Sequence, residues 1–118
     1  MDKGTYILAM KLDDTAKITI GKLGRFTFPA GHYLYFGSAM NGLHSRITRH
    51  LRSEKRLHWH IDYLLQQAII IDIWYIESEE RLECRLYLEA TRLPGASAPV
   101  RGFGSSDCRC TSHLLHFK

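Results

Sequence analysis

Apolar and polar positions alternate through the first third of the chain and then change period. Residues 4–12 carry Tyr6, Ile7, Leu8 and Met10 ahead of Asp13-Asp14, which predicts a strand that ends in a turn. Residues 17–20 alternate polar with apolar, Gly21-Lys22-Leu23-Gly24 turns the chain, and Arg25-Phe26-Thr27-Phe28 returns it, the pattern of a β-hairpin. After Pro29-Ala30-Gly31 comes another β-prone run, His32 to Phe36. Leu43, Ile47 and Leu51 then recur every four residues, an amphipathic helix starting near Asn41 or Gly42 with that stripe turned inward.

A second helical run covers 59–67, with Ile61, Leu64 and Leu65 on its apolar side. Residues 68–76 are almost continuously apolar and β-branched, which predicts a buried, central strand. Ser78, followed by Glu79 and Glu80, opens a third helix that runs to about Arg92, where Pro94-Gly95 stops it. Residues 96–110 are rich in Gly, Ser and Pro and predict a loop, and 112–117 a short last strand. The predicted fold is α/β: a small, mainly antiparallel sheet, extended by the 17–28 hairpin and flanked by helices.

A chain of 118 residues is the size of one domain, 1–118, and excludes a multidomain enzyme. With 45% hydrophobic and 24% charged residues it is not a disordered chain. No apolar run approaches the ~20 residues that cross a bilayer, and Met1-Asp2-Lys3-Gly4 opens no secretory signal, so the expectation is a cytoplasmic protein without membrane contact. The net charge is +4, and its distribution is more informative than its sum. Arg46, Arg49, Arg52, Lys55 and Arg56 lie within eleven positions opposed only by Glu54. Such a run is either a solvated helix face or a surface for phosphates.

Two features of the helical segments bear on chemistry. Arg46 and His50 are four apart and share one face beside the apolar stripe. Glu83 falls on a helical wheel among Leu82, Leu86, Tyr87, Ala90 and Leu93, and a carboxylate there needs a cation, a proton or a metal ion. An internal salt bridge, for example to Arg46, and metal ligation both satisfy it.

Gly4-Thr5-Tyr6 in the first strand and Tyr35-Phe36-Gly37 in a later one resemble the two halves of the GIY-YIG nuclease signature. Ser38-Ala39, Leu43-x-x-Arg46, His50 and a glutamate on a later helix continue the likeness, and the tail from Gly102 to His113 is similar to the small stand-alone Uri-type branch. Thr5 stands where isoleucine is usual, Ser38 where repair nucleases often carry lysine, and the segment between Tyr6 and Tyr35 is long. The resemblance implies a GIY-YIG-like core and a metal-dependent endonuclease, a hydrolase of phosphodiester bonds. It implies Tyr6 as the water-activating base, Tyr35 orienting the phosphate, Arg46 gripping it and His50 assisting proton transfer. Glu83 would hold one divalent cation, Mg²⁺ or Mn²⁺. Arg49, Arg52, Lys55 and Arg56 would bind nucleic acid, DNA ahead of RNA, with no obligate protein partner. The alternative is a nucleic-acid-binding module of the same fold that does not cleave, and a third reading is a zinc-stabilised interaction domain.

Asp107, Cys108, Cys110 and His113 form a compact donor group that Cys84 can approach in space. The C-x-C spacing falls short of the paired C-x-x-C of structural zinc. Buried thiols, with Asp107 pinning the loop, are therefore preferred to a zinc site.

Overall fold

In the computed structural model, which describes residues 2–106 and 108–118, four strands form one antiparallel sheet. They are β1 (Gly4–Leu12), β4 (Gly31–Ala39), β5 (Ile69–Glu77) and β6 (Leu114–Phe117), in the order β5-β1-β4-β6. Strands β2 (Ala16–Ile20) and β3 (Gly24–Phe28) pair only with each other. The hairpin therefore does not extend the main sheet. It folds over it and delivers Ile18, Ile20 and Phe28 to the core.

The register decides which side chains share a face. Tyr6 lies opposite Gly37, Leu8 opposite Tyr35 and Met10 opposite Tyr33, so these positions look to one side of the sheet. Helices α1 (Leu43–Leu51) and α2 (His60–Leu64) and the hairpin cover that side with Leu43, Ile61, Leu64 and Phe28. The other side shows Ile7, Leu34 and Phe36, and α3 (Glu83–Ala90) packs there through Tyr87, Leu86 and Ala90.

Three sequence expectations need correction. The 68–76 run is not a buried central strand: β5 is a sheet edge, and Ile69, Ile71, Trp74, Tyr75 and Ile76 are all about half exposed or more. Its apolar run has one neighbour, β1, and a bulge opposite Ala9 and Met10 interrupts the pairing. On α1, Leu43 is buried but Leu51 is 57% exposed, because the helix ends there and Arg52 turns extended. His50 takes the core position instead, 2% exposed.

The third helix begins at Glu83 rather than at Ser78. Ser78 is held to Lys3 as the β1–β5 ladder runs out, and its hydroxyl accepts from the Glu80 amide as a local turn. Thr5 of β1 then captures the Leu82 amide, which fixes where the helix starts. Glu83 is thus a first-turn residue beside the sheet, not the centre of an apolar stripe. No helix among the described residues is long and apolar enough to cross a membrane.

Candidate functional site

Strand β6 pairs with β4 only from His32 to Tyr35. Beyond that point, among the described residues, the β4 edge from Phe36 to Ala39 has no strand beside it on that side, and a bond runs from the Phe36 amide to the His113 carbonyl. A cleft of about 460 Å³ opens there. Helices α1 and α3 lie on opposite faces of the sheet, yet both reach this open end. Tyr6, Tyr35, Arg46 and Glu83 line the cleft together with Ser38, Trp59, Arg81 and the loop residue Gly104.

His50 does not line it but stands behind Tyr6, with its Nε2 2.7 Å from the tyrosine hydroxyl. Burial, aided by Arg46, Arg49 and Lys55 and opposed by Asp62, pulls the His50 pKa down to about 4, so the ring is neutral near pH 7. Its Nδ1 is buried without a partner. Placing the single ring proton on Nε2 leaves only a lone pair unmet at Nδ1, which is less costly than an orphaned N–H. Nε2–H then donates to Tyr6. The Tyr6 hydroxyl keeps its own proton to offer into the cleft.

Burial outweighs the nearby Arg46 guanidinium and pushes the Tyr6 phenol up to about 12, so the hydroxyl is protonated near pH 7. Tyr35 is likewise raised, by burial first and by its proximity to Tyr6. Two glycines let these rings sit where they do. A Cβ on Gly37 would lie 2.6 Å from the Tyr6 ring and hydroxyl, and one on Gly104, at φ 70°, 2.9 Å from the Tyr35 ring. Gly37→Ala is therefore expected to cost about 1–3 kcal/mol in denaturant unfolding, because Tyr6 is locked by His50 and cannot swing away.

The basic run divides by use. Arg49 makes a two-point pair with buried Asp62, at 2.9 and 3.0 Å, and also donates to the Arg56 carbonyl. Lys55 donates to the carbonyls of His50 and Arg52 and so closes the end of α1. Both were expected to face nucleic acid, but each is committed to the fold. Arg52 and Arg56 are exposed. Arg46 stacks on Trp59 with its guanidinium carbon 4.2 Å from the ring centroid, and the Arg49 guanidinium lies 4.5 Å from the same centroid. Among the described residues no carboxylate pairs with Arg46, whose guanidinium donates to the Ser38 carbonyl at 3.4 Å. Glu83 accepts from the Ser38 hydroxyl, which in turn meets Thr5. The internal Glu83–Arg46 salt bridge does not form.

Asp62 was missed. The sequence shows it one helical turn from His58, but nothing in the spacing signals that its carboxylate accepts from Arg49 and from the amides of His58 and Trp59.

One wall of the cleft is chemically distinct. Cys84 of α3 and Cys108, Cys110 and His113 of the C-terminal loop place one sulfur or ring nitrogen each, all within 4.8 Å of one another. Cys84 Sγ and Cys108 Sγ each lie 3.3 Å from His113 Nε2. Burial, and contact with Cys110 and Cys108, push the Cys84 thiol up. The cluster can coordinate a metal ion. Its soft, three-sulfur donor set is of the zinc type, which corrects both the expectation of Mg²⁺ or Mn²⁺ and the preference against zinc. Asp107, assigned above to loop pinning, lies outside the described residues.

No curated protein and no solved structure gives a significant match to the chain. The family described as "Domain of unknown function DUF123" matches residues 5–118, and the chain belongs to that family. This replaces the GIY-YIG assignment drawn from the two tripeptides, the Arg46–His50 helix, the later glutamate and the tail. With it fall the expectations that rested on that likeness alone, a nuclease and a hydrolase.

Proposed function

We propose that this DUF123 domain is a binding module for the phosphodiester backbone of nucleic acid, DNA ahead of RNA, received in the cleft at the open end of β4. The observation that carries this reading is the state of Arg46. It stands in the cleft wall, held flat against Trp59, with no carboxylate among the described residues to neutralise it. A guanidinium so placed is preorganised for a two-point contact with phosphate oxygens.

The surroundings support the same ligand. Tyr6 offers a hydroxyl proton, Arg81 adds a second cation against Glu83, the one carboxylate among the described lining residues, and Trp59 and Tyr35 provide flat apolar surface. Arg52 and Arg56, exposed beyond α1, continue the positive surface outward and contact backbone further along the strand. The three unpaired thiols fit a reducing compartment, hence the cytoplasm.

Fluorescence anisotropy with labelled single- and double-stranded DNA and RNA tests the reading. Arg46→Ala is expected to weaken binding about 10- to 100-fold, the loss of one charge-assisted phosphate contact. Replacing Arg52 and Arg56 together is expected to lower the dependence of log K on log salt by about one to two, one unit or slightly less for each phosphate released. An Arg46→Ala protein that binds like the wild type removes the cleft from the interaction.

A further inference from the structure

We propose that Cys84, Cys108, Cys110 and His113 hold a single zinc ion in a closed, tetrahedral, structural site that ties the C-terminal loop to α3. A zinc ion with Zn–S of about 2.3 Å and Zn–N of about 2.0 Å spaces its ligands roughly 3.5 Å apart for sulfur to nitrogen and 3.8 Å for sulfur to sulfur. The two sulfur–nitrogen separations of 3.3 Å and the 4.8 Å limit on the whole group bracket that geometry. Three thiols meet here with no disulfide among them, and two of them come from the irregular C-terminal loop.

The imidazole is prepared as a ligand. Its Nε2 faces the sulfurs of Cys84 and Cys108, 3.3 Å from each. His113 itself is nearly fully buried and anchored through its main chain to Phe103 and Phe36.

The placement explains what the ion does. The described residues of 100–112 lie in turns, bends and irregular chain, with no helix or strand among them, and Cys84 stands 29 positions before His113. The ion joins them across the end of the sheet, which a short irregular segment needs for a defined position. Four protein ligands fill a tetrahedron, so the site has no open position for substrate or water. Its effect on the cleft is to fix a wall, since Cys84, Cys108 and His113 are part of that lining.

The test is metal analysis of the full chain, purified without chelator, followed by exchange with Co²⁺ alone. About one zinc per chain is expected. The cobalt form should show the intense visible absorption of a four-coordinate ion, with thiolate charge-transfer bands in the near ultraviolet. His113→Cys should keep the ion and shift those bands to longer wavelength, whereas Cys110→Ser should lose thiolate intensity and bind zinc at least ~10-fold more weakly. Where a variant does not fold, the wild-type cobalt spectrum decides alone. A wild-type chain that retains no zinc, or whose cobalt spectrum is that of the six-coordinate aquo ion without thiolate bands, overturns the site.

Discussion

Asp62→Ala is expected to remove about 3–5 kcal/mol of stability, more than any other single change outside the thiol cluster. Asp62 is fully buried, and its two carboxylate oxygens accept from both guanidinium nitrogens of Arg49 and from the amides of His58 and Trp59. Truncation strands a largely desolvated guanidinium and two amides at once, and breaking a buried pair from one side is far more costly than its net contribution. The pair also fastens α1 to the start of α2, the two elements that put Arg46 and Trp59 into the cleft. Urea unfolding monitored by tryptophan fluorescence measures the change. A loss below about 1 kcal/mol would show that water reaches Arg49 and replaces the carboxylate. Burial raises the Asp62 pKa, but the Arg49 and backbone bonds outweigh it and hold the group below its ordinary value. Its contribution is therefore complete above about pH 4 and lost only as the pH falls through that depressed value.

His50 produces the second large effect, in a higher pH window. Its folded pKa of about 4 lies below the ordinary 6.5, chiefly because the ring is buried. Between those values the unfolded chain takes up a proton that the folded chain refuses, so stability falls as the pH is lowered from 6.5 to 4. The total is about 3 kcal/mol, and below pH 4 this contribution is flat. His60 is also held down by burial and titrates in the same direction. The informative quantity is thus the difference between wild type and His50→Gln, which keeps a polar group near Tyr6 but cannot titrate. The wild type should lose about 3 kcal/mol more across that range. Parallel curves would mean that His50 is solvated when protonated and that Tyr6 is not locked behind it.

Much of the fold was legible because the alternation is local. Strands β1 and β4 and the hairpin follow directly from period-two patterns and from glycines at the turns, and α1 from its four-residue spacing. The errors have specific physical sources. A continuous apolar run means a strand buried on both faces in most sheets, but in β5 the same run sits at an edge with Trp74 and Ile76 left uncovered. Ser78-Glu79-Glu80 has the composition of a helix start, and it lost to Thr5, whose hydroxyl caps the chain four residues later. The stripe on α1 pointed to Leu51, although His50, one position earlier, faces the sheet and finds a hydroxyl to bond.

The site was legible in part and for uneven reasons. Tyr6, Tyr35, Arg46 and Glu83 were singled out and do line one cleft, but the chemistry expected of them came from a likeness of short motifs. Two tripeptides on adjacent strands record a tight strand pairing as readily as a reaction: Gly37 is needed where Tyr6 crosses it. The metal cluster was underrated because its C-x-C spacing falls short of the paired C-x-x-C of structural zinc. Cys108, Cys110 and His113 are visible together, whereas Cys84 joins them only once α3 packs against β4 and the loop folds back. Arg49 and Lys55 look like phosphate contacts in any charge count, and only the structure reveals that Asp62 and the end of α1 already use them.

The most direct measurement is a titration of the ¹⁵N-labelled chain with a short DNA duplex and a matching single strand, followed by amide chemical-shift perturbation at low and moderate salt. Binding in the cleft predicts the largest shifts at Gly37, Ser38, Arg46, Glu83 and Gly104, smaller ones near Arg52 and Arg56, and a common weakening with added salt. Shifts gathered instead on the exposed side chains of β5, or none at concentrations that saturate the anisotropy signal, would contradict the cleft as the binding site.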